Sequence, residues 1–276
     1  MALTFGTWNV NGIRARGEEV REWVARARPD AFFLQELKAR PDQVPEALAA
    51  GLGDYWLAWH GFGPYSGVAI GLRRDTFPRQ PRFFHPDFDQ DCRIVAAEAE
   101  GLILASLYVP NGGRDFPGKI AFLERLRDWA GVLRRDGPQV ILAGDFNVAR
   151  EDRDIHPKER KPHQVGARPE ERELLAAVLR EGLVDVGRAL DPENDDLFTW
   201  WAPWRNMRQR NIGWRLDYVL ADVALTEKAA SCSVARDFGT CDHGPVTASF
   251  DMEPPRGSPG AASPAKPSTP GQLRLF

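Results

Sequence analysis

Cysteine is scarce in this chain of 276 residues: only Cys92, Cys232 and Cys241, odd in number and far apart. No CxxC pair is present, and the five histidines form no HxxxH-type pair. Neither a disulfide framework nor a zinc motif is therefore legible, and a reducing cytoplasm is the expected compartment. A surplus of positive charge is also missing. The net charge of −3 argues against a partner held by a generally basic surface. Long apolar runs are absent too: VILA and LILASLYV are strand-length, far short of a membrane span. The start MALTFGTWNVNG lacks the basic segment and apolar core of a secretion signal. No internal repeat is visible.

What is present is an ordinary globular composition, 43% hydrophobic and 27% charged, ample for a sizeable core. Strand-like and helix-like segments alternate, which predicts an α/β domain. LTFGTWNV, AFFLQE, SGVAIGLRR, IVAAEAEGLILASLYVP, QVILAGDFNVA, RLDYVLAD and PVTASFD read as strands. EEVREWVARAR, GKIAFLERLRDWAGVLRRD and PEERELLAAVLREG read as helices, the last with RPEE as its start. One catalytic domain is expected over 1–253. Residues 254–271, rich in Pro, Ser, Ala and Gly, read as a disordered linker. The final QLRLF, 272–276, is a separate short motif.

Polar clusters recur where strands end. Asn9 and Asn11 follow the first strand, Glu36 the second, and Tyr108 and Asn111 a later one. Asp145 and Asn147 follow an apolar run, Asp217 sits inside another, and Asp242 and His243 precede the last strand. A lone Asp or Asn at such a place is usually a turn or cap residue. Six clusters together point to one shared site, because open α/β sheets gather ligands outside strand ends. A set rich in carboxylate and amide oxygen suits Mg²⁺, with Mn²⁺ as a substitute, and zinc less well. Such a site suits phosphodiester hydrolysis: a metal neutralises charge on the phosphoryl group, a carboxylate orients or deprotonates water, and a histidine held by an aspartate stabilises the transition state.

In this order the clusters resemble the exonuclease III family of abasic-site DNA endonucleases, within the DNase I-like endonuclease/exonuclease/phosphatase superfamily. The matching segments are TWNVNGIRAR, FLQELK, GPYSGVAI, YVPNGGR, LAGDFNVA, GWRLDYVL and CDHGPV, from residue 7 to residue 246. GDFN occurs across the wider superfamily; WNVNGIRAR and GWRLDYVL are more specific. The resemblance implies a four-layer α/β sandwich, two packed mixed β-sheets flanked by helices. It makes Glu36 the main metal ligand, helped by Asp242 and the Asn9/Asn11 cluster, although Asn11 stands where some relatives carry Asp. It gives Asp145 the attacking water, Asn147 water and phosphate, and Asp217 the orientation of His243, with Tyr108 and Asn111 near the phosphate. Whether Asp145 or His243 is the base stays open. Cys241 stands where the family usually has Ser, and a structural role is expected for it.

The stretch FTWWAPWRNMRQRNIGWRLDY is rich in Trp and Arg. Trp201 reads as core. By resemblance, Trp200 (usually Phe in the family), Trp214 and Leu216 form the apolar pocket for a flipped, baseless sugar, selected by shape. Trp204 and Arg114 are candidates for insertion into the duplex. Arg205, Arg208, Arg210 and Arg215 are expected along the DNA backbone, with a steep salt dependence. QLRLF resembles the peptide by which bacterial proteins dock on the replication sliding clamp, with Gln272 at the pocket mouth and Leu273, Leu275 and Phe276 as anchors.

The function expected is thus a Mg²⁺-dependent monomeric nuclease of base excision repair. It would cut double-stranded DNA 5′ of an abasic site and carry 3′-repair and 3′→5′ exonuclease activity. The competing readings are a phosphodiesterase or phosphatase of the same superfamily acting on inositol phosphates or lipids, and an inactive DNA-binding relative.

Overall fold

The structure is a computed structural model, and it describes residues 2–135 and 137–253. The linker at 254–271 and the clamp-docking residues Gln272, Leu273, Leu275 and Phe276 lie outside the described residues.

Among the described residues, twelve strands and six α-helices build the domain. The first half holds β1 (Ala2–Asn9), α1 (Ile13–Ala27), β2 (Ala31–Gln35), α2 (Glu46–Gly51), β3 (Tyr55–His60), β4 (Val68–Arg73), β5 (Arg82–Phe84), β6 (Ile94–Ala99) and β7 (Leu102–Tyr108). The second holds α3 (Phe116–Arg135), β8 (Gln139–Asp145), α4 (Pro169–Arg180), β9 (Leu183–Asp185), α5 (Val186–Leu190), β10 (Asp217–Asp222), α6 (Val223–Thr226), β11 (Ala229–Val234) and β12 (Val246–Asp251). They form two six-stranded mixed sheets, ordered β11-β12-β1-β2-β4-β3 and β5-β6-β7-β8-β10-β9. Each sheet has one parallel pair, β1/β2 and β7/β8, joined by a crossover helix, α1 or α3.

Burial follows from that layering. One apolar cluster fills the space between the sheets, with Phe5, Phe33, Ile70, Leu104, Ile141 and Val219 in it. A second lies under α3 and α4, and a third under α1. Strands covered on both faces read as continuous apolar runs, as β2 and β8 do. A buried polar ladder also ties the sheets. Thr7 Oγ1 donates to Gln35 Oε1 at 3.2 Å, Gln35 Nε2 to Ser106 Oγ at 3.0 Å, and Ser106 Oγ to the Leu34 carbonyl at 3.0 Å.

Several elements differ from the sequence expectation. IVAAEAEGLILASLYVP is a hairpin, not one strand: it turns at Glu100 and Gly101, with φ of 51° and 83°, the two positive values of a tight hairpin turn. β3, β5, β9 and β11 were not anticipated. α1 starts at Ile13, five residues before the predicted segment.

Candidate active site

The carboxyl ends of the two parallel pairs meet, and that meeting makes the site. β1 delivers Asn9, β2 delivers Glu36 one residue past its end, β7 delivers Tyr108 and β8 delivers Asp145. Tyr108 and Asp145 are directly paired, as are Asp145 and Asp217 at the start of β10. Gly144 makes the β7–β8 pairing possible. At its φ of 151° a Cβ would lie 1.9 Å from the Leu107 carbonyl oxygen. Asn11, Glu36, Lys38 and Asn147 all have positive φ, between 44° and 51°. Such backbone persists only where the surroundings impose it. Here Gly12 N bonds the Glu36 carbonyl at 2.8 Å, and Lys38 N bonds the Ser66 carbonyl at 2.9 Å.

Asn9, fully buried, is the hub. Its Nδ2 donates to Glu36 Oε1 at 2.9 Å and to Asp145 Oδ2 at 2.8 Å, and its Oδ1 accepts from Asn11 N at 3.0 Å. Its amide is spent as a spacer between two carboxylates, which differs from the ligand role expected for it. Asn11 donates to Asp242 Oδ1 at 3.0 Å and accepts from Lys38 Nζ. Asp242 also accepts from the Trp200 indole at 3.0 Å and from the Cys241 thiol at 3.3 Å. Burial raises its pKa, but His243, Asn11 and Trp200 outweigh that and bring it to about 2. The three groups close enough to hold one ion are Glu36, Asp145 and His243, whose donor atoms lie within 4.8 Å of one another. Asp242, expected among the ligands, is outside that group; its oxygens accept from Asn11, Cys241 and Trp200.

His243 is held through Nδ1 by Asp217 Oδ2 at 2.9 Å, and its Nε2 faces Asp145 Oδ2 at 4.0 Å. Burial opposes its charge, but Asp217 and Asp145 prevail and raise it to about 10, so it is an imidazolium at neutral pH. Asp145 is raised as well, which for a carboxyl favours the neutral form. Burial, then Asp217 and Glu36, hold its carboxyl well above the ordinary range. Burial also raises Glu36, but Asn9 and Lys38 outweigh it and keep that carboxylate low. The Tyr108 phenol is pushed up by burial and by Glu36 and Asp145, so it stays protonated. Asn147 donates to Asp145 and to the Val109 carbonyl, and Asn111 donates to Asn147 Oδ1 at 3.2 Å.

Three residues of the site escaped the sequence reading. Lys38 Nζ pairs with Glu36 Oε2 at 2.7 Å. Thr199 Oγ1 donates to Asp217 Oδ2 at 2.6 Å and accepts from Asp217 N at 3.0 Å, fixing the carboxylate that holds His243. Lys119, wholly buried, donates to the carbonyls of Asn111 at 3.1 Å and Asn147 at 2.7 Å and pairs with Glu171. It ties the two loops that carry those asparagines. Lys38 stood two residues from Glu36 in QELK; nothing in the sequence links Lys119 to the site.

Beside the cluster, Trp200 and Trp214 pack edge to face, centroids 6.2 Å apart, and Trp200 bridges backbone with both Trp214 and His243. Leu216 is buried. Trp200 therefore adjoins His243, and Trp214 packs on Trp200. Trp204 is 57% exposed, free to reach outward, while Trp201 is core. Arg114, Asn111 and Tyr108 line an open groove of about 620 Å³ next to the cluster. Two arginines differ from expectation. Arg208 is half-buried, and its guanidinium donates to the carbonyls of Phe238 (2.7 Å), Arg236, Gly239 and Cys241. Arg215 is buried against Asp185 and Asp154. Neither guanidinium faces outward to track DNA; Arg205 and Arg210 are exposed. Cys241, buried and with its thiol donating to the Asn9 carbonyl, is raised in pKa by burial, as a structural thiol is.

Known proteins resemble this chain in sequence and in fold. Recombination repair protein 1 of Drosophila melanogaster is 32% identical over 91% of this chain, though the chain spans only 37% of that relative. An exodeoxyribonuclease of Bacillus subtilis is 30% identical over 87% of this chain and 96% of its own length. Among solved structures, a Neisseria 3′ phosphatase bound to a product DNA hairpin matches with a TM-score of 0.83 at 30% identity, covering 91% of this chain and 100% of that one. An AP endonuclease from Archaeoglobus fulgidus matches at 0.81 and 28%, with the same coverage. The model of the endonuclease/exonuclease/phosphatase family matches residues 6–238, and the chain belongs to that family.

Proposed function

We propose that this chain is a DNA-repair nuclease that hydrolyses the phosphodiester 5′ of an abasic site and also acts at 3′ ends. The observation that carries this reading is the Asp217–His243–Asp145–Glu36 cluster opening directly beside the Trp200/Trp214 pair. Hydrolytic groups thus adjoin an aromatic pair against which a sugar without its base would pack. The Bacillus, Neisseria and Archaeoglobus proteins, named for exodeoxyribonuclease, 3′-phosphatase and AP endonuclease activity, support it.

The donor set fits a divalent cation. Four carboxylates, Glu36, Asp145, Asp217 and Asp242, face two cationic groups, Lys38 and His243. The excess of two negative charges equals the charge of one Mg²⁺ or Mn²⁺. Glu36, with Asp145 beside it, would hold the ion, which supplies Lewis-acid polarisation of the phosphoryl oxygen. Asp145, raised toward neutral pH, is suited to take the proton of the attacking water. The His243 imidazolium, fixed by Asp217 and Thr199, donates to the phosphate as charge grows there. That division of labour makes Asp145 the base. Tyr108, kept protonated, and Asn147 and Asn111, tied by Lys119, position the phosphate.

Cleavage of an end-labelled duplex with one abasic-site analogue, in Mg²⁺ and in EDTA, tests the reading with wild type and Glu36→Gln. One cut 5′ of the lesion that needs both metal and Glu36 is expected. No cut with any divalent metal would sink it, and a ladder from the 3′ end alone would leave only the exonuclease part. For the C-terminal QLRLF we propose docking on a bacterial sliding clamp through Gln272, Leu273, Leu275 and Phe276. Titration of a peptide of residues 268–276 against the clamp checks that, and no binding would end it.

A further inference from the structure

A second cluster of ligating side chains lies where the edges of the two sheets come together. β3 is the outer strand of one sheet and β5 of the other. His60 ends β3, His85 follows β5, and Asp89 and Cys92 lie in the connection from β5 to β6. The two imidazoles stack nearly parallel, centroids 4.8 Å apart at 11°. His60 Nε2 is 2.9 Å from Asp89 Oδ2. One donor atom from each of His60, His85 and Asp89 lies within 4.8 Å of the other two. The Cys92 thiol borders His60.

We infer that His60, His85 and Asp89 form a second cation site, for a borderline divalent transition metal of the zinc type. Two imidazoles and one carboxylate are the donor set such ions prefer, whereas Mg²⁺ prefers oxygen alone. The site thereby differs in kind from the carboxylate cluster around Glu36. Tetrahedral Zn²⁺ with bonds of about 2.0–2.1 Å needs its donors about 3.3 Å apart. The pair His60–Asp89 is already near that separation, and His85, exposed, would turn out of its stack with His60 to close the site. Asp89 is pre-positioned as metal-bound carboxylates usually are: its oxygens accept from Arg93 N at 2.8 Å and Ile94 N at 3.1 Å.

The site's consequence is a clip across both sheet edges and onto the groove. The loop carrying Asp89 is fastened to the turn before β4, where Gly67 N donates to the Cys92 carbonyl at 3.1 Å. Arg93, next in the loop, accepts from Tyr108 N at 2.8 Å and sets its guanidinium 5.0 Å over the Tyr108 ring. An ion here would fasten the loop that supports Tyr108.

The test uses full-length protein stripped of metal, in excess Mg²⁺ so that the oxygen-rich site is occupied, and titrated with Co²⁺ and with Zn²⁺. Wild type should take up one equivalent of Co²⁺ with visible ligand-field absorption, and Zn²⁺ should raise its melting temperature. His85→Ala should weaken the binding by at least about tenfold and abolish the Zn²⁺-dependent rise. His85→Cys, a competent zinc donor, should keep both. Because His85 is exposed, neither variant threatens the fold, and a matching metal-free melting temperature checks that. Equal Co²⁺ spectra for wild type and His85→Ala, or no response of wild type to Zn²⁺, would overturn the assignment.

Discussion

Two clusters of buried charge stand only two residues apart in sequence, Arg215 in one and Asp217 in the other, and they are built on opposite principles. In the first, Arg215 bonds Asp185 at 2.8 Å through Nη1 and again through Nη2, and Arg188 bonds Asp154 at 2.8 Å. Two arginines meet two aspartates, and Arg150 adds a partly exposed contact to Asp185. This cluster is compensated internally. In the site, four carboxylates meet two cations, Asp217 Oδ1 is buried without a hydrogen-bond partner among the described residues, and Asp145 is driven toward protonation. Burying charge is tolerable only when it is paired. The first cluster meets that demand within the chain; the second leaves it to a cation and a substrate. Structural and functional charge are told apart by this balance, not by burial.

The largest expected effect breaks the site side of that comparison. Glu36→Gln should cut nuclease activity on the order of 10³-fold, about 4 kcal/mol of transition-state stabilisation, in single-turnover assays. Asp145→Asn should do the same yet raise the melting temperature of the metal-free protein, because it removes an uncompensated charge. A lowered melting temperature would show that the site is balanced after all. On the other side, Arg215→Met strands Asp185 and should cost about 3–5 kcal/mol of stability, read by chemical denaturation.

The comparison also has a pH form. His243, raised to about 10 from 6.5, contributes stability that is complete below pH 6.5 and lost as pH climbs through about 10. Asp145, also raised, binds its proton more tightly in the folded state, so it too makes stability fall as pH rises above its unfolded value of 3.8. Asp185 is the reverse. Burial raises it, but Arg215 outweighs that and lowers it, so its contribution is present above pH 3.8 and lost as pH falls below. Metal-free protein should therefore lose stability on the alkaline side through Asp145 and His243, and on the acid side through Asp185 together with Glu36 and Asp242, whose carboxyls are also held low. Mg²⁺ should flatten the alkaline limb, since it takes over the role of Asp145's proton. Thermal melts across pH with and without Mg²⁺ check both limbs.

How much of this was legible beforehand depends on pattern. Asn9, Glu36, Asp145 and His243 announced themselves because each follows or precedes a run of buried strand residues, and polar groups there demand a reason. The central strands were equally clear from their apolar runs. The missed strands are the four edge strands: β5 and β9 have three residues each, β11, AASCSV, is half exposed with weak apolar character, and β3, YWLAWH, is apolar but half-buried along most of its length, with no alternation to mark it. Short edges carry too little burial to leave a signal. The compensated cluster was invisible because Asp154, Asp185, Arg188 and Arg215 share no spacing. Arg208 and Arg215 were misplaced on the DNA side because a count of basic residues does not say which side chains turn inward.

Lys119 lies between the two kinds of cluster: its charge is paired by Glu171, yet it holds loops of the site. Lys119→Met alone should lower stability and lower kcat about 10–100-fold, since small misplacements of positioning groups are costly. Lys119→Met with Glu171→Gln restores charge balance, keeps an acceptor for Gly166 N and Arg168 N, and should recover the stability but not kcat. Recovery of both would make the pair merely structural.

The smallest effect concerns the arginine-rich stretch. Arg205 and Arg210 are exposed, whereas Arg208 is held by four backbone carbonyls and lies over the Trp201 ring, 5.2 Å from its centroid. If the outward pair meets phosphate, Arg205→Ala and Arg210→Ala should each reduce the slope of log K against log salt by about one and leave folding unchanged. Arg208→Ala should do the opposite, lowering the melting temperature with little change in slope. Its four carbonyl acceptors would be left to water, and the loop of residues 236–241 would lose its anchor next to Asp242. A slope change for Arg208→Ala as large as for Arg205→Ala would mean the guanidinium leaves those carbonyls for DNA. The boundary between inward, compensated charge and outward, recruiting charge would then run through a single residue.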